Sequence, residues 1–237
     1  MKLIKKQNLS ASMVASNESL SVMGAFQIIQ DAVTECMGAH NVDGITVKQK
    51  YNAFWLFVKT RIKFFKRLGW GEDYSVCAFL SSMSLAKLYV DIEMCDKSEE
   101  RVFYARLELC LLDIDTQRIK KISSVGLDES VLVPATTDIT FSKFDNAELS
   151  FIEKVQVRST NIDFSHHTNN TEYLRFIMNT YSVAETEKLA FKEIEICYTG
   201  QTYENDVLSV LKAKSDGRDL IVLQKGEKPV IKCEIVF

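Results

Sequence analysis

Two prolines and nine glycines among 237 residues are few, and that scarcity excludes a disordered or low-complexity chain. An excess of one charge is lacking too. Lys and Arg number 29 against 32 Asp and Glu, a net charge of −3, so the chain as a whole has no strong attraction to nucleic acid or to an anionic membrane. No apolar run approaches the roughly 18 residues that span a bilayer, and the opening MKLIKKQNLSAS lacks the apolar core of a signal peptide. The six cysteines (Cys36, Cys77, Cys95, Cys110, Cys197 and Cys233) form no C-x-x-C pair, so metal-site spacing is missing. Most sit in apolar runs, where a free cysteine behaves as a small hydrophobe. These absences lead to the expectation of a soluble, reduced, cytoplasmic protein with no metal, no cofactor and no membrane span.

What is present is an alternation of helix and strand patterns. Val22, Phe26, Ile29, Val33 and Met37 keep a helical spacing after a possible cap at Ser19 or Ser21, and Gly38 suits the position that ends a helix. Leu9–Val14 is expected as a short strand ahead of it. From Tyr51 the pattern turns to strands: AFWLFVKTRIKFF, Tyr74–Ser82, Leu85–Met94, Val102–Leu112 and Arg118–Ile122. Residues 131–150 carry no sustained period and are expected to connect two halves. Phe151–Arg158 is strand-like, then a second helix pattern follows with Tyr173, Phe176, Ile177, Thr180 and Tyr181 on one face. Leu189–Tyr198, Asp206–Lys214, Leu220–Gln224 and Val230–Phe237 are expected strands, with Asp216–Gly217 a hairpin turn. The halves thus repeat one order: short strand, helix of three to five turns, about four antiparallel strands. That order predicts an α+β fold of two tandem hotdog domains, each a long helix wrapped by an antiparallel sheet, over 1–130 and 151–237 with a linker at 131–150.

Chemistry concentrates between Arg158 and Tyr181. Asp163, Ser165, His166 and His167 fall within five residues, and Asn169 or Asn170 caps the helix that follows. A carboxylate, a hydroxyl and an imidazole beside the N–H groups and positive end of a helix suit a hydrolytic site.

The stretch NIDFSHHTNNTEYL resembles the D-x-D-x-N-x-H-x-N-N-x-x-Y stretch of acyl-ACP thioesterases, which end fatty-acid synthesis. FQIIQDAVTECMGAH resembles that family's LQDAA…G helix, and the Trp55 strand and CLLDIDTQRIKKIS look like its later N-terminal strands. The resemblance runs over roughly residues 8–237. It implies that Asp163 and His167 are catalytic. Ser165 stands where the family usually has asparagine, and Gln201, in CYTGQTYENDV, where it usually has glutamate. A glutamine amide does not ionise, so Gln201 orients rather than takes a proton; Ser165 keeps a donor and an acceptor with less reach. Glu204 is the nearest carboxylate, but strand alternation would turn it to the other face.

The implied reaction is water attack on the thioester of an acyl chain carried by acyl carrier protein, with the oxyanion held near Asn169, Asn170 and Thr171 and the chain in an apolar tunnel. The competing readings are an acyl-CoA thioesterase and a catalytically weak acyl-binding hotdog. Ser165 and Gln201 sustain the latter. Lys59, Arg61, Lys63, Lys66 and Arg67 form a basic run suited either to docking the acidic carrier or to being a solvated strand face. His40 is expected at a helix C-terminus, where an imidazolium is favoured. Cys197 is a buried-type cysteine in IEICY rather than a nucleophile. Monomer and homodimer are both compatible with two hotdogs in one chain.

Overall fold

The computed structural model describes residues 3–144 and 147–237, and its contacts divide the chain into two compact units, Met1–Thr140 and Phe141–Phe237. The first unit holds β1 (Leu3–Asn8), α1 (Val22–Ala39), α2 (Gly44–Tyr51), β2 (Ala53–Phe64), β3 (Asp73–Met83), β4 (Leu88–Asp96), β5 (Arg101–Asp113) and β6 (Ile119–Lys120). Its strands pair antiparallel in the order β1-β3-β4-β5-β2, with β6 on the end of β5.

Helix α1 is where the apolar spacing places it. Val22, Phe26, Ile29, Val33 and Met37 are all buried, and the helix packs on β3 and β4. Ser21 caps it, its Oγ accepting from Gly24 N at 2.9 Å. Gly24 has a second reason to lack a side chain: a Cβ there would lie 2.3 Å from the Met13 carbonyl oxygen, so the segment before the helix can approach only a glycine. Gly38 lies inside the helix, not beyond it, and His40 is the C-cap. Burial lowers the His40 pKa, and its Nε2 is buried with no hydrogen-bond partner. The imidazolium expected to be favoured at this helix end is instead disfavoured by burial.

Two elements depart from the sequence pattern. The first strand is Leu3–Asn8, not Leu9–Val14; Ala11–Met13 forms a 3-10 turn instead. LIKKQN shows no alternation because it is an edge strand exposed on both faces, held by its ladder to β3 and by polar side-chain contacts of Lys5, Gln7 and Asn8. Helix α2 has one buried residue, Val47, so it carries no apolar stripe to detect. It forms because Asp43 caps it, Oδ1 accepting from Ile45 N at 2.9 Å and Thr46 N at 3.0 Å.

The segment expected to be a linker divides between the units. In the first, Val133 N donates to Leu80 O at 2.9 Å and Arg106 Nη1 donates to Ile139 O at 2.6 Å. Arg106 also forks onto the fully buried Asp91 through Nε at 2.7 Å and Nη2 at 2.8 Å. In the second, Ser142 N donates to the buried Glu195 carboxylate at 2.9 Å.

The basic run that begins on β2 and continues past its end is largely engaged. Lys66 pairs with Asp96 and Glu100. Arg67 lies 3.8 Å over the Phe64 ring, Arg61 donates to Thr140 O at 2.6 Å, and Lys59 and Lys63 are also engaged.

The second unit holds β7 (Ser150–Gln156), α3 (Asn170–Met178), α4 (Val183–Lys188), β8 (Glu193–Tyr198), β9 (Val207–Ser215), β10 (Arg218–Lys225) and β11 (Lys228–Val236). Its antiparallel order is β8-β11-β10-β9-β7, and Asp216–Gly217 turns β9 into β10 as expected, with Gly217 at φ +72°. The helix is shorter than its apolar face implies. It stops at Met178, and a capping box starts α4: Glu185 Oε2 accepts from Ser182 N at 2.8 Å while Ser182 Oγ accepts from Glu185 N at 3.2 Å. Leu189–Lys192 is likewise not strand, β8 beginning at Glu193.

Tyr173, Leu174, Phe176 and Ile177 bury the inner face of α3. Beyond its end, Tyr181 joins Phe191 and Phe237 in a mutual ring cluster with centroids 5.4–6.3 Å apart. The Tyr181 hydroxyl donates to Asp219 Oδ2 at 2.7 Å, which also pairs with the buried Lys212 at 2.9 Å. The Lys212 ammonium stands 3.4 Å from the Tyr181 ring centroid. This network fastens the chain after α3 to β9 and β10.

Candidate functional site

The segment from Ile162 to Thr168 is a tight hairpin. Ile162 and Thr168 bridge antiparallel, Asp163 N donates to His167 O at 3.0 Å, and His166 N donates to Asp163 O at 3.0 Å. His166 sits at φ +65°. This is the hairpin built from a type I turn followed by a left-handed residue that forms a bulge. Asp is favoured at the first turn position because its side chain can accept from the backbone two residues on, and Asp163 Oδ1 accepts from Ser165 N at 2.8 Å. The turn brings Asp163 and His167 opposite one another, so their side chains leave the hairpin on the same side.

Ser165 links them. Its Oγ donates to Asp163 Oδ1 and lies 3.3 Å from His167 Nδ1. A serine hydroxyl has one proton and two lone pairs. That proton is committed to Asp163, so toward the imidazole Ser165 accepts. His167 Nδ1 is then the donor in that contact. Asp163, Ser165 and His167 form one hydrogen-bonded chain. His166 points elsewhere; it is exposed and its place is set by its backbone.

The hairpin is fastened to the loop between β8 and β9. Thr168 N donates to Thr202 O at 2.9 Å. The Thr168 and Thr202 hydroxyls lie 2.6 Å apart, the Tyr173 hydroxyl is 2.9 Å from Thr202 Oγ1, and it accepts from Thr202 N at 3.0 Å. All three side chains are buried. Burial raises the Tyr173 pKa, its hydrogen bonds to the two threonines opposing the shift. On the next residue, the Tyr203 ring packs against His167 with centroids 5.0 Å apart.

Gln201 and Glu204 belong to this loop, residues 199–206, rather than to a strand. The alternation argument that separated them fails for that reason. Gln201 is half-buried immediately before the Thr202 latch, and Glu204 is exposed. Thr202 and Tyr203 were not singled out in the sequence. They lie one and two residues past Gln201, and only the tertiary approach of two loops gives them a role. Cys197 lies within β8 opposite Lys232, away from this chain of groups in sequence and on a regular strand.

The helix N-terminus is partly occupied. Asn169 is the N-cap, its Oδ1 accepting from Thr171 N and Thr171 Oγ1, each at 3.0 Å. Asn169 N donates to Asn161 O at 2.8 Å, and Asn161 Nδ2 donates to Glu172 Oε2 at 2.7 Å. The Thr171 amide is therefore engaged by the cap. The Asn170 amide opens the helix, where a backbone N–H has no carbonyl one turn earlier to serve it.

Among the described residues no group of three or more His, Cys, Asp or Glu side chains is placed to hold a metal ion, and no helix is long and apolar enough to cross a membrane.

Residues 145–234 match the acyl-ACP thioesterase C-terminal domain. Among solved structures, an acyl-ACP thioesterase from Bacteroides thetaiotaomicron superposes with a TM-score of 0.91 at 15% identity, covering 100% of this chain and 97% of that one. The 12:0-ACP thioesterase from Umbellularia californica superposes with a TM-score of 0.84 at 17% identity, covering 99% and 96%. No curated protein matches the sequence. At these identities the structural likeness is one of fold: α+β, with two tandem hotdog units.

Proposed function

We infer that this chain, whose residues 145–234 match the acyl-ACP thioesterase C-terminal domain, belongs to that family and releases free fatty acid from acyl carrier protein by water attack on the thioester. The observation that carries the reading is the Asp163–Ser165–His167 chain, which lies within the residues that match the family's C-terminal domain; a neutral His167 in that chain offers Nε2 as the base.

The steps follow from those positions. His167 Nε2 takes a proton from water as the oxygen attacks the carbonyl carbon, and Asp163, through Ser165, stabilises the Nδ1–H form and the imidazolium that results. A positioned base of this kind contributes about 10² to 10⁴ in rate. The oxyanion is received by the Asn170 amide at the head of α3, in a setting shaped by Asn169 and Thr171; losing such a donor costs on the order of 3 kcal/mol. The C–S bond then breaks, and the imidazolium returns its proton to the leaving thiolate. Gln201 orients the water or the carbonyl by hydrogen bonding, since its amide takes no proton. Acyl carrier protein is the partner this reading requires, and the cytoplasm and fatty-acid synthesis its setting.

The test is thiol release from a panel of acyl-ACP and acyl-CoA thioesters by the parent, Asp163→Asn and His167→Ala proteins, each shown to be folded. Turnover on carrier-linked substrate that falls at least a hundredfold in both variants supports the reading. Faster turnover on CoA reassigns the substrate. Acyl binding without turnover by the parent replaces hydrolysis with acyl carriage.

A further inference from the structure

We propose that Tyr203 is a positioning residue that fixes the orientation of the His167 imidazole; the inference rests on the general-base role of His167 given above. The two rings lie with centroids 5.0 Å apart and planes inclined at 53°. Aromatic pairs in this range attract by about 0.5–1.5 kcal/mol beyond the area they bury. The terminal torsion of a histidine is broad and nearly two-fold. Rotation of the ring out of its plane swings Nδ1 away from Ser165 and ends the link to Asp163. The Nδ1···Ser165 contact at 3.3 Å is long for a hydrogen bond and holds the ring weakly by itself. The Tyr203 ring supplies a second point of contact that holds the imidazole plane.

Tyr203 is suited to that task because its own backbone is braced. Tyr203 N donates to Asp206 Oδ2 at 2.9 Å, and Asp206 N returns a bond to Tyr203 O at 3.1 Å. Lys225 pairs with the same carboxylate at 2.7 Å and stands 5.8 Å from the Tyr203 ring centroid. The preceding residue is the fully buried Thr202, latched to Thr168 and Tyr173. The side chain itself is 48% exposed, so it fills no core and its truncation leaves no cavity.

The experiment compares steady-state hydrolysis of acyl-ACP by the parent, Tyr203→Ala, Tyr203→Phe and His167→Ala proteins, alongside imidazole nitrogen NMR of histidine-labelled protein. Tyr203→Ala is expected to lower kcat about tenfold, with KM changed by less than about twofold, because a misplaced base costs rate rather than binding. Tyr203→Phe keeps the ring and recovers most of the rate. The nitrogen signals of His167 show mainly the Nδ1–H tautomer in the parent and the Phe variant, and a mixture in the Ala variant. Parental kcat and unchanged nitrogen signals in Tyr203→Ala overturn the proposal, as does a loss confined to KM, which would make Tyr203 a substrate contact. Parental turnover by His167→Ala is a different failure: it removes the general-base reading, while the nitrogen signals still decide whether Tyr203 orients the ring.

Discussion

Asp163 and His167 are tied twice: by a backbone hydrogen bond of 3.0 Å from Asp163 N to His167 O, and by the Ser165 hydroxyl that stands between their side chains. The backbone tie sets the distance and the hydroxyl sets the chemistry, so the two can be separated by substitution.

Ser165→Ala removes the hydroxyl and keeps the Ser165 N to Asp163 bond that shapes the turn. Stability should change by no more than about 0.5 kcal/mol, as for other exposed substitutions. A hydrogen bond to a charged group is worth about 1.5–3 kcal/mol, so kcat should fall by about tenfold or more. Thermal melts and thiol-release kinetics on the same preparations check both halves. Ser165→Asn, which supplies the amide usual in the family, should restore turnover.

His166 holds φ +65°, which costs a residue with a Cβ roughly 1–2 kcal/mol. His166→Gly should leave stability equal or raised by up to about 1 kcal/mol, with turnover retained. His166→Val should lower stability by more than about 1 kcal/mol and lower turnover with it, because a β-branched residue resists this conformation. Denaturant titration of the three proteins reads the order.

The Tyr173 hydroxyl accepts from Thr202 N and meets Thr202 Oγ1 in a buried setting. Tyr173→Phe leaves a buried backbone N–H without its partner, at a cost of about 1–3 kcal/mol. The two loops lose part of their latch, so kcat should fall as well, although Tyr173 touches none of the reacting atoms in the proposed mechanism. Equal stability of parent and variant by denaturant titration would count against the latch.

Lys212 gives a prediction in pH. Burial lowers its pKa below the usual 10.5, with Asp219 opposing the shift. The folded chain therefore releases this proton at lower pH than the unfolded chain. Between the lowered value and 10.5 the unfolded chain binds more protons, so this group's contribution to stability rises with pH. Tyr181 acts in the opposite sense: burial and its bond to Asp219 raise its pKa, so stability is lost above its usual 10.0 as the unfolded chain ionises. Lys212→Met should cost about 3–5 kcal/mol at neutral pH by leaving Asp219 without its cation. The parent should gain further on that variant as pH rises toward 10.5, measured by denaturant titration at a series of alkaline pH values.

Much of the fold is legible in the chain because burial imposes a period. Val22 to Met37 and Tyr173 to Ile177 announce their helices, and most strands of both units show in apolar alternation. The failures share a cause. LIKKQN and GITVKQKY bury almost nothing, so pairing, polar side-chain contacts and capping define them, and the chain after Met178 breaks at the Ser182 capping box, a local signal that competes with the apolar face running through Tyr181. At the candidate site, Asp163, Ser165, His167 and the Asn169 cap stand together in sequence and remain together in space. Gln201 came from resemblance. Thr202 and Tyr203 had no local mark, since their roles arise only when the 199–206 loop meets the hairpin.

The turn that carries Asp163 asks little of its middle positions. Phe164 is 75% exposed and Ser165 is exposed beside it, and the bonds that close the turn come from the backbone and from the Asp163 carboxylate. The residue linking carboxylate to imidazole can thus be exchanged with little consequence for folding. Innovation at this position is nearly free of a stability threshold, so a lineage can pass through asparagine, serine or another small polar residue and test each for turnover while the scaffold stays intact.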